Sequence, residues 1–522
     1  MNPDLILYNG TIYPKADGRE RAEAVAVWNG VVSDVGSTRD ILRLRARSVH
    51  AVDLMGRTVL PGFTDSHIHL LGYGMMLKTV QLYDATSIND VRESVSKAAK
   101  KSRPEQWIVG RGWDQEKLLE HRYLESKDLD DLGSNPIFLR RVCGHIGVAN
   151  STALRIAGVN RETTVPDGGV IVTDSTGEPT GLLKESALGL VEEKIEVDDR
   201  TIEESLVRAS QKLLRYGLTS FHCVLQNARE SRILKRLCDE GKVKQSIYGI
   251  MPYDSFDEAV GAGVSTDLGP ARPGFRIGGV KIFMDGSLGA RTAALTEPYS
   301  DENGTMGILT FSEQKLADTV TRAEAAGLQL CMHAIGDRAL GTILKVLEDK
   351  SESSARKSLR HRIEHASLAP PALLTRMRRL GIVASVQPRF IYSDSWAGAR
   401  LGERRARSLY PFRSMKTKGI PLAAGSDGPV EDPNPLEGIW SAVARPGLSP
   451  SERLTVPEAF AMYTAGGAYA SHSESNSGTI RVGSKADLVV LEADPFSLAT
   501  NKLRKLKVTQ TIVNGEIAYT AN

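Results

Sequence analysis

The chain has 522 residues, with 66 Lys and Arg against 63 Asp and Glu for a formal net charge of +3. Hydrophobic residues make up 41% and charged residues 25%, the balance of a globular protein whose core needs no disulfide staple. The near-even charge argues against a dedicated nucleic-acid binder, and no run approaches the roughly 18 consecutive apolar residues of a membrane span. The opening MNPDLILYNG lacks a basic segment followed by a long apolar one, so no secretory signal is expected. Cys143, Cys223, Cys238 and Cys331 lie far apart with no C-x-x-C pair, which predicts reduced thiols and a cytoplasmic location.

In chain order, the first elements read as short strands. LILYNGTIYP and AVAVWNGVVSDVG set β-branched and aromatic residues around Asn-Gly, which predicts hairpin turns at Asn9-Gly10 and Asn29-Gly30. The C-terminal stretch repeats the style in ADLVVLEADP and in VTQTIVNGEIAYT around Asn514-Gly515. Two β-rich ends with the same turn chemistry predict one small sheet domain assembled from both termini, over residues 1–60 and 475–522. Between them, helix and strand alternate. Ser87-x-x-Asp90 and Thr201-x-x-Glu204 predict helix starts through capping boxes. Ser312 predicts another cap, for a helix with Leu316, Val320 and Ala323 on one face that ends near Gly327. LTSFHCV and LQLCMH follow such helices as strands. The alternation implies right-handed βαβ units and a parallel sheet. Periodicity alone fits a closed (β/α)₈ barrel and an open doubly wound sheet equally well.

The sharpest chemical motif is DSHIHL, which follows the apolar run TVLPGFT. On a strand, residues i and i+2 face the same side, so the imidazoles of His67 and His69 converge on one point, as a divalent metal requires. Taken alone, the pair also fits two exposed polar residues in a turn. Other strand ends add weight. LQLCMHAIGD leaves His333 at the end of an apolar run, RHRIEHAS does the same for His365, and PLAAGSDGPV for Asp427. GGVKIFMDGS puts Lys281 inside an apolar strand, where a charged amine is costly unless paired or neutralised. Singly, each histidine reads as a hydrogen-bonded core residue and Asp427 as a turn residue before Gly428-Pro429. HRIEH is not the metalloprotease helix, because Arg362 stands where that motif needs Glu. His365 is therefore the expected ligand there, and His361 a support on the same side of the strand.

Taken in order, H-x-H followed by Lys, His, His and Asp resembles the amidohydrolase superfamily. More narrowly, VKIFMDGSLGARTA, MHAIGDRA, RIEHAS, SVQP and GSDGPV resemble the YtcJ-type amidohydrolase-3 family, which includes N-substituted formamide deformylase and AepA-like proteins. The similarity extends over nearly the whole chain, from PGFTDSHIHL to KADLVVLEADP. It implies an α/β fold with a distorted (β/α)₈ barrel over 61–474 beside a β-sandwich built from both termini. It also implies metal ligation by His67, His69, Lys281, His333, His365 and Asp427, at the C-terminal ends of the strands where barrel enzymes keep their catalytic groups. The intervals Lys281–His333, His333–His365 and His365–Asp427 fit one, one and two βα units of roughly 30–50 residues. The interval from His69 to Lys281 carries about a hundred residues too many for three units of that size. We assign the surplus to an insertion within about 80–195, with turn chemistry at Asp167-Gly168-Gly169 and Gly177. Similar segments in the family overhang the barrel mouth.

The implied cofactor is one or two divalent ions, zinc by default from the His and carboxylate donors. Lys281 resembles the family lysine that reacts with CO₂ to give a bridging N6-carboxylysine. The expected reaction is hydrolysis of an amide-type C–N bond by metal-activated water, with Asp427 moving the proton. In the family, residues matching His145 and Arg291 lie near the pocket. This implies a donor to the scissile oxygen at His145 and a substrate-holding guanidinium at Arg291, with Asp114 a weaker candidate beside Arg140 and Arg141. The expected partner is a small-molecule amide, with no nucleic acid or membrane, and a homodimer as an option. The alternatives are a cyclic-amide hydrolase or deaminase of the same superfamily, and a non-catalytic metal-binding regulator. Lys281 points away from the deaminases, and an aspartate placed as a base points away from the regulator.

Overall fold

The computed structural model describes residues 3–46, 49–142, 144–166, 169–195, 197–261, 274–302, 304–350 and 358–521. Cys143, Asp167 and Gly168 lie outside the described residues; Cys223, Cys238 and Cys331 are free thiols. The chain divides into two compact units, one of Met1–Gly74 with Leu206–Asn522 and the other of Met75–Ser205.

The first unit is built around eight parallel strands: β1 (Phe63–Ile68), β2 (Leu218–Val224), β3 (Ser246–Pro252), β4 (Phe275–Phe283), β5 (Gln329–Ala334), β6 (Arg362–His365), β7 (Val383–Val386) and β8 (Leu422–Ala424). Each pairs with its neighbours in sequence order. The β8 end returns to β1 through the loop that follows it. Asp427 N donates to His67 O at 2.7 Å, His69 N donates to Gly428 O at 2.8 Å, and Ile68 and Gly428 form a parallel bridge. This is an α/β barrel, nearly closed, and its closing seam carries H-x-H on one side and Asp427 on the other.

Helices cover the strands where the capping chemistry places them. Ser312 Oγ accepts from Lys315 N to open Glu313–Ala325, which buries Leu316, Thr319, Val320 and Ala323. The helix over Asp199–Leu214 starts earlier than the Thr201 box predicts. Asp198 Oδ1 accepts from Thr201 N at 2.8 Å, so Asp198 is the cap and Thr201 lies inside the first turn. Aspartate ranks above threonine as a helix cap, so the helix opens at the upstream residue.

The chain ends build two further sheets. Val31–Gly36, Ala24–Trp28, Leu5–Tyr8 and His50–Asp53 form one; Thr11–Ile12, Thr58–Pro61, Leu488–Leu491, Val508–Val513 and Glu516–Thr520 form the other. Their facing side chains, among them Leu7, Val25, Val59, Leu488, Val490 and Ile512, share one core. Asn29-Gly30 and Asn514-Gly515 are hairpin turns, with φ of 49° and 77°, and of 50° and 80°. Asn9-Gly10 is not. The strands on either side of it pair in different sheets, so the dipeptide carries the chain across the sandwich. A Cβ at Gly10 would lie 2.5 Å from Leu54 Cδ1, so this glycine answers a close approach.

The second unit has a six-stranded sheet in the order Val170–Thr173, Pro179–Lys184, Ile146–Ala149, Ile137–Arg141, Ile108–Trp113, Val80–Gln81. Helix Ile88–Ala99 opens with the Ser87–Asp90 capping box and packs Val91 and Val95 against Ile108, Leu139 and the buried Trp113. Among the described residues no helix is long and apolar enough to cross a membrane.

Candidate metal centre

Six groups gather at the C-terminal end of the barrel. His67 and His69 leave β1, and both turn Nε2 toward Asp427 Oδ1, at 3.4 and 3.2 Å. Lys281 Nζ, on β4, lies 3.2 Å from His67 Nε2. The rings of His365 and His67 are 5.2 Å apart, and those of His333 and His365 4.4 Å. Phe283 borders His333 at 5.4 Å, and Phe390 stacks on His365 at 6.1 Å. His67, His69 and Asp427 alone offer three ligand atoms within 4.8 Å of one another.

Backbone conformation aims two of these groups. His365 has φ 72° and Asp427 φ 57°, left-handed values that ordinary residues rarely adopt and that recur at functional sites. Strand alternation places Arg362 and Glu364 on one face of β6; the turn at His365 brings its ring to the mouth as well. Asp65 fastens the seam beneath. Its Oδ1 accepts from His67 N at 2.9 Å and Ser426 N at 3.0 Å, and its Oδ2 from Ser426 Oγ at 2.6 Å. Burial pushes this carboxyl up to about 6, against the pull of those donors. At Gly425 a Cβ would stand 2.4 Å from His67 N, so glycine is what lets β8 approach β1 here.

The ring nitrogens are sorted by partners that sequence reading did not single out. His67 Nδ1 meets Glu364 Oε2 at 2.5 Å, both side chains fully buried. Arg362 grips the same carboxylate through Nε at 2.7 Å and Nη2 at 3.0 Å, and also donates to Ser66 O, Ser385 Oγ and His222 Nδ1. His333 Nε2 faces Gly286 O at 3.0 Å and Asp285 Oδ1 at 3.3 Å. Asp285 in turn accepts from Ala294 N, Ile335 N and Gly336 N. That leaves His333 Nδ1 buried without a hydrogen-bond partner, and His365 Nδ1 is in the same state.

These orphaned nitrogens test the site for a metal. Buried polar atoms are nearly always satisfied, and two lone-pair nitrogens on adjoining rings are what a cation needs. Protonation fits too. Burial, helped by His333 nearby, holds His365 well below the usual imidazole range, and burial also lowers His69. Burial lowers the Lys281 amine as well. Burial opposes ionisation of Asp427, yet its close contacts with the His67 and His69 rings hold its carboxyl well below the usual range. Lowered His69 and His365 imidazoles beside an ionised Asp427 are in the protonation state that metal binding demands.

The remaining predicted residues have other neighbours. His145 is exposed, with Nδ1 3.0 Å from Glu185 Oε2. Asp114 pairs with Arg141 at 2.6 Å. Arg140 pairs with Glu192. Arg291 pairs with Asp301 at 2.9 Å and Glu302 at 3.2 Å. His361 is buried, and its Nδ1 accepts from Leu330 N at 3.0 Å, tying the base of β5 to the residue before β6.

Comparison with known proteins agrees with this geometry. The model of the amidohydrolase family matches residues 50–519. The putative amidohydrolase YtcJ of Bacillus subtilis (strain 168) is 33% identical, over 98% of this chain and 99% of its own. The N-substituted formamide deformylase of Arthrobacter pascens is 30% identical, over 99% and 98%. The crystal structure of an uncharacterized metal-dependent hydrolase from Pyrococcus furiosus superposes with a TM-score of 0.81 at 31% identity, covering 94% of this chain and all of that one. With barrel, candidate metal cluster and full-length similarity in agreement, the chain belongs to the amidohydrolase family and is a metal-dependent hydrolase of that superfamily.

Proposed function

We propose that the chain hydrolyses an amide-type C–N bond of a small molecule, at a centre held by His67, His69, Lys281, His333, His365 and Asp427. The observation that carries this reading is the pair of buried, unpartnered Nδ1 atoms of His333 and His365 beside the His67–His69–Asp427 cluster. One or two divalent ions bound there, zinc by default, would supply a Lewis acid for the carbonyl oxygen and an activated water.

The chain's own residues supply the rest. Asp427 is ionised and is held through Oδ1, which leaves Oδ2 to take a proton and return it to the leaving nitrogen. Lys281 is nearly enclosed, and its burial favours the neutral amine that carbamate formation with CO₂ requires. A carboxylated Lys281 would place an anion among the histidines where a bare ammonium would repel a cation. Phe283 and Phe390 shield the two histidines at the mouth from water on one flank each. His145 and Arg291, with Asp114 as a lesser candidate, keep substrate-orienting roles on the strength of family resemblance.

Metal analysis combined with a panel of formamides, N-acyl amino acids and cyclic amides tests the proposal. Turnover of one amide class, abolished by chelation and restored by metal, is the expected result. A metal-loaded chain that turns over none of them, or that binds its ions away from these six residues, overturns it.

A further inference from the structure

We propose that Glu364, held by Arg362, is the positioning residue that sets the tautomer of His67 and so makes its Nε2 a metal ligand. The inference rests on the metal-centre reading above and goes beyond it, since neither residue is among the six proposed ligands.

The geometry is specific. A neutral imidazole carries its proton on one nitrogen only, and that choice follows the partner of the other nitrogen. Glu364 Oε2, 2.5 Å from His67 Nδ1, can only accept, so the proton lies on Nδ1 and the lone pair on Nε2. That Nε2 is the atom facing Asp427 and Lys281. A carboxylate behind a ligating imidazole also raises its basicity. Glu364 is kept an acceptor by geometry: Arg362 donates to both of its oxygens, through Nε to Oε1 at 2.7 Å and through Nη2 to Oε2 at 3.0 Å. Arg362 is itself locked. Its five-donor fork reaches Glu364 twice and then Ser66 O on β1, His222 Nδ1 on β2 and Ser385 Oγ on β7. One guanidinium thus ties three other barrel strands to the carboxylate on β6 that sets a single imidazole proton.

An isosteric substitution exposes the logic. In Glu364→Gln the amide offers one oxygen and one NH₂. Arg362 presents only donors, so the oxygen turns to the guanidinium and the NH₂ faces His67 Nδ1. The imidazole then has to accept at Nδ1 and carry its proton on Nε2, where it cannot bind a metal. Removing the guanidinium as well, in Arg362→Met with Glu364→Gln, frees the amide oxygen to accept from Nδ1–H again.

The test uses the full-length chain labelled with ¹⁵N-histidine and freed of metal, with the His67 signals assigned by their absence in His67→Asn. In the wild type, ¹⁵N–¹H correlations should show His67 as the Nδ1–H tautomer; the Nε2–H form or an imidazolium overturns the proposal without any functional variant. Zn²⁺ affinity, measured by competition with a chelator, should fall about ten- to a hundredfold in Glu364→Gln, with the tautomer inverted. The double variant should restore the tautomer and much of the affinity. An unchanged tautomer and affinity in Glu364→Gln, or a folded double variant that recovers neither, also overturns it. A wild-type chain that binds no Zn²⁺ yet shows the Nδ1–H tautomer removes the metal-centre reading and leaves the positioning role of Glu364 intact.

Discussion

The barrel mouth and the Met75–Ser205 unit spend charge in opposite ways. At the mouth, His67, Glu364 and Arg362 are fully buried and each polar contact has a defined partner. In the second unit, His145 beside Glu185 is well exposed, Arg140 beside Glu192 is partly exposed, and Asp114 beside Arg141 is partly buried. Buried pairs are expensive to desolvate and expensive to break, whereas exposed pairs are worth little. The contrast teaches that a motif of charged residues carries chemical meaning in proportion to what burying it costs. By that measure the barrel residues are the stronger assignments.

Six substitutions sharpen or break the contrast. Asp427→Asn should keep the fold and lower turnover by about 10²–10⁴, the usual share of a positioned acid–base group, and more if metal is lost with it. Steady-state kinetics with metal analysis decides, and full turnover at unchanged metal content would remove Asp427 from the mechanism. Lys281→Ala should lose one of two ions first, and short carboxylic acids added to the assay should restore part of the activity by standing in for the carbamate. A high-resolution map with a bare amine in a fully active, two-metal wild type would end the carbamate idea.

The next effect is on stability. Arg362→Ala strands a buried carboxylate and should cost about 3–5 kcal/mol in a urea titration. Arg140→Ala, across from Glu192 at the surface of the second unit, should cost less than about 1 kcal/mol. Equal losses would erase the distinction between the regions. The smallest effects are expected at His145→Ala and Arg291→Ala, as a drop in kcat/KM at constant metal occupancy. Near-wild-type kinetics would return both to a structural role, Arg291 as the partner of Asp301 and Glu302.

Much of the barrel site is legible in the sequence because its ligands end apolar runs: DSHIHL, CMHAIGD and AAGSDG all place a polar group where a strand stops. The supporting shell is not legible in the same way. Glu364 and Arg362 sit inside RIEH, where charge reads as the polar half of a strand, and their partners are as distant in sequence as Ser66 and His222. Asp285 looks like a turn residue before glycine, yet its oxygens collect three backbone N–H groups from two loops. Local rules misread two other places for one reason. Thr201 and Asn9-Gly10 carry correct short-range signals, but an upstream competitor, Asp198, took the first cap and sheet exchange took the second turn.

The sheet shared by the two ends of the chain has a consequence for biosynthesis. Thr58–Pro61 pairs antiparallel with Leu488–Leu491, more than four hundred residues downstream. At translation rates of about 5–20 residues per second, the early strand waits on the order of tens of seconds for its partner to leave the ribosome. During that interval it presents an unpaired edge and the apolar face of Val59, both of which invite pairing with other nascent chains. Yield from an overloaded expression host should therefore depend on holding that N-terminal segment apart until synthesis ends, and slower translation by itself should make aggregation worse.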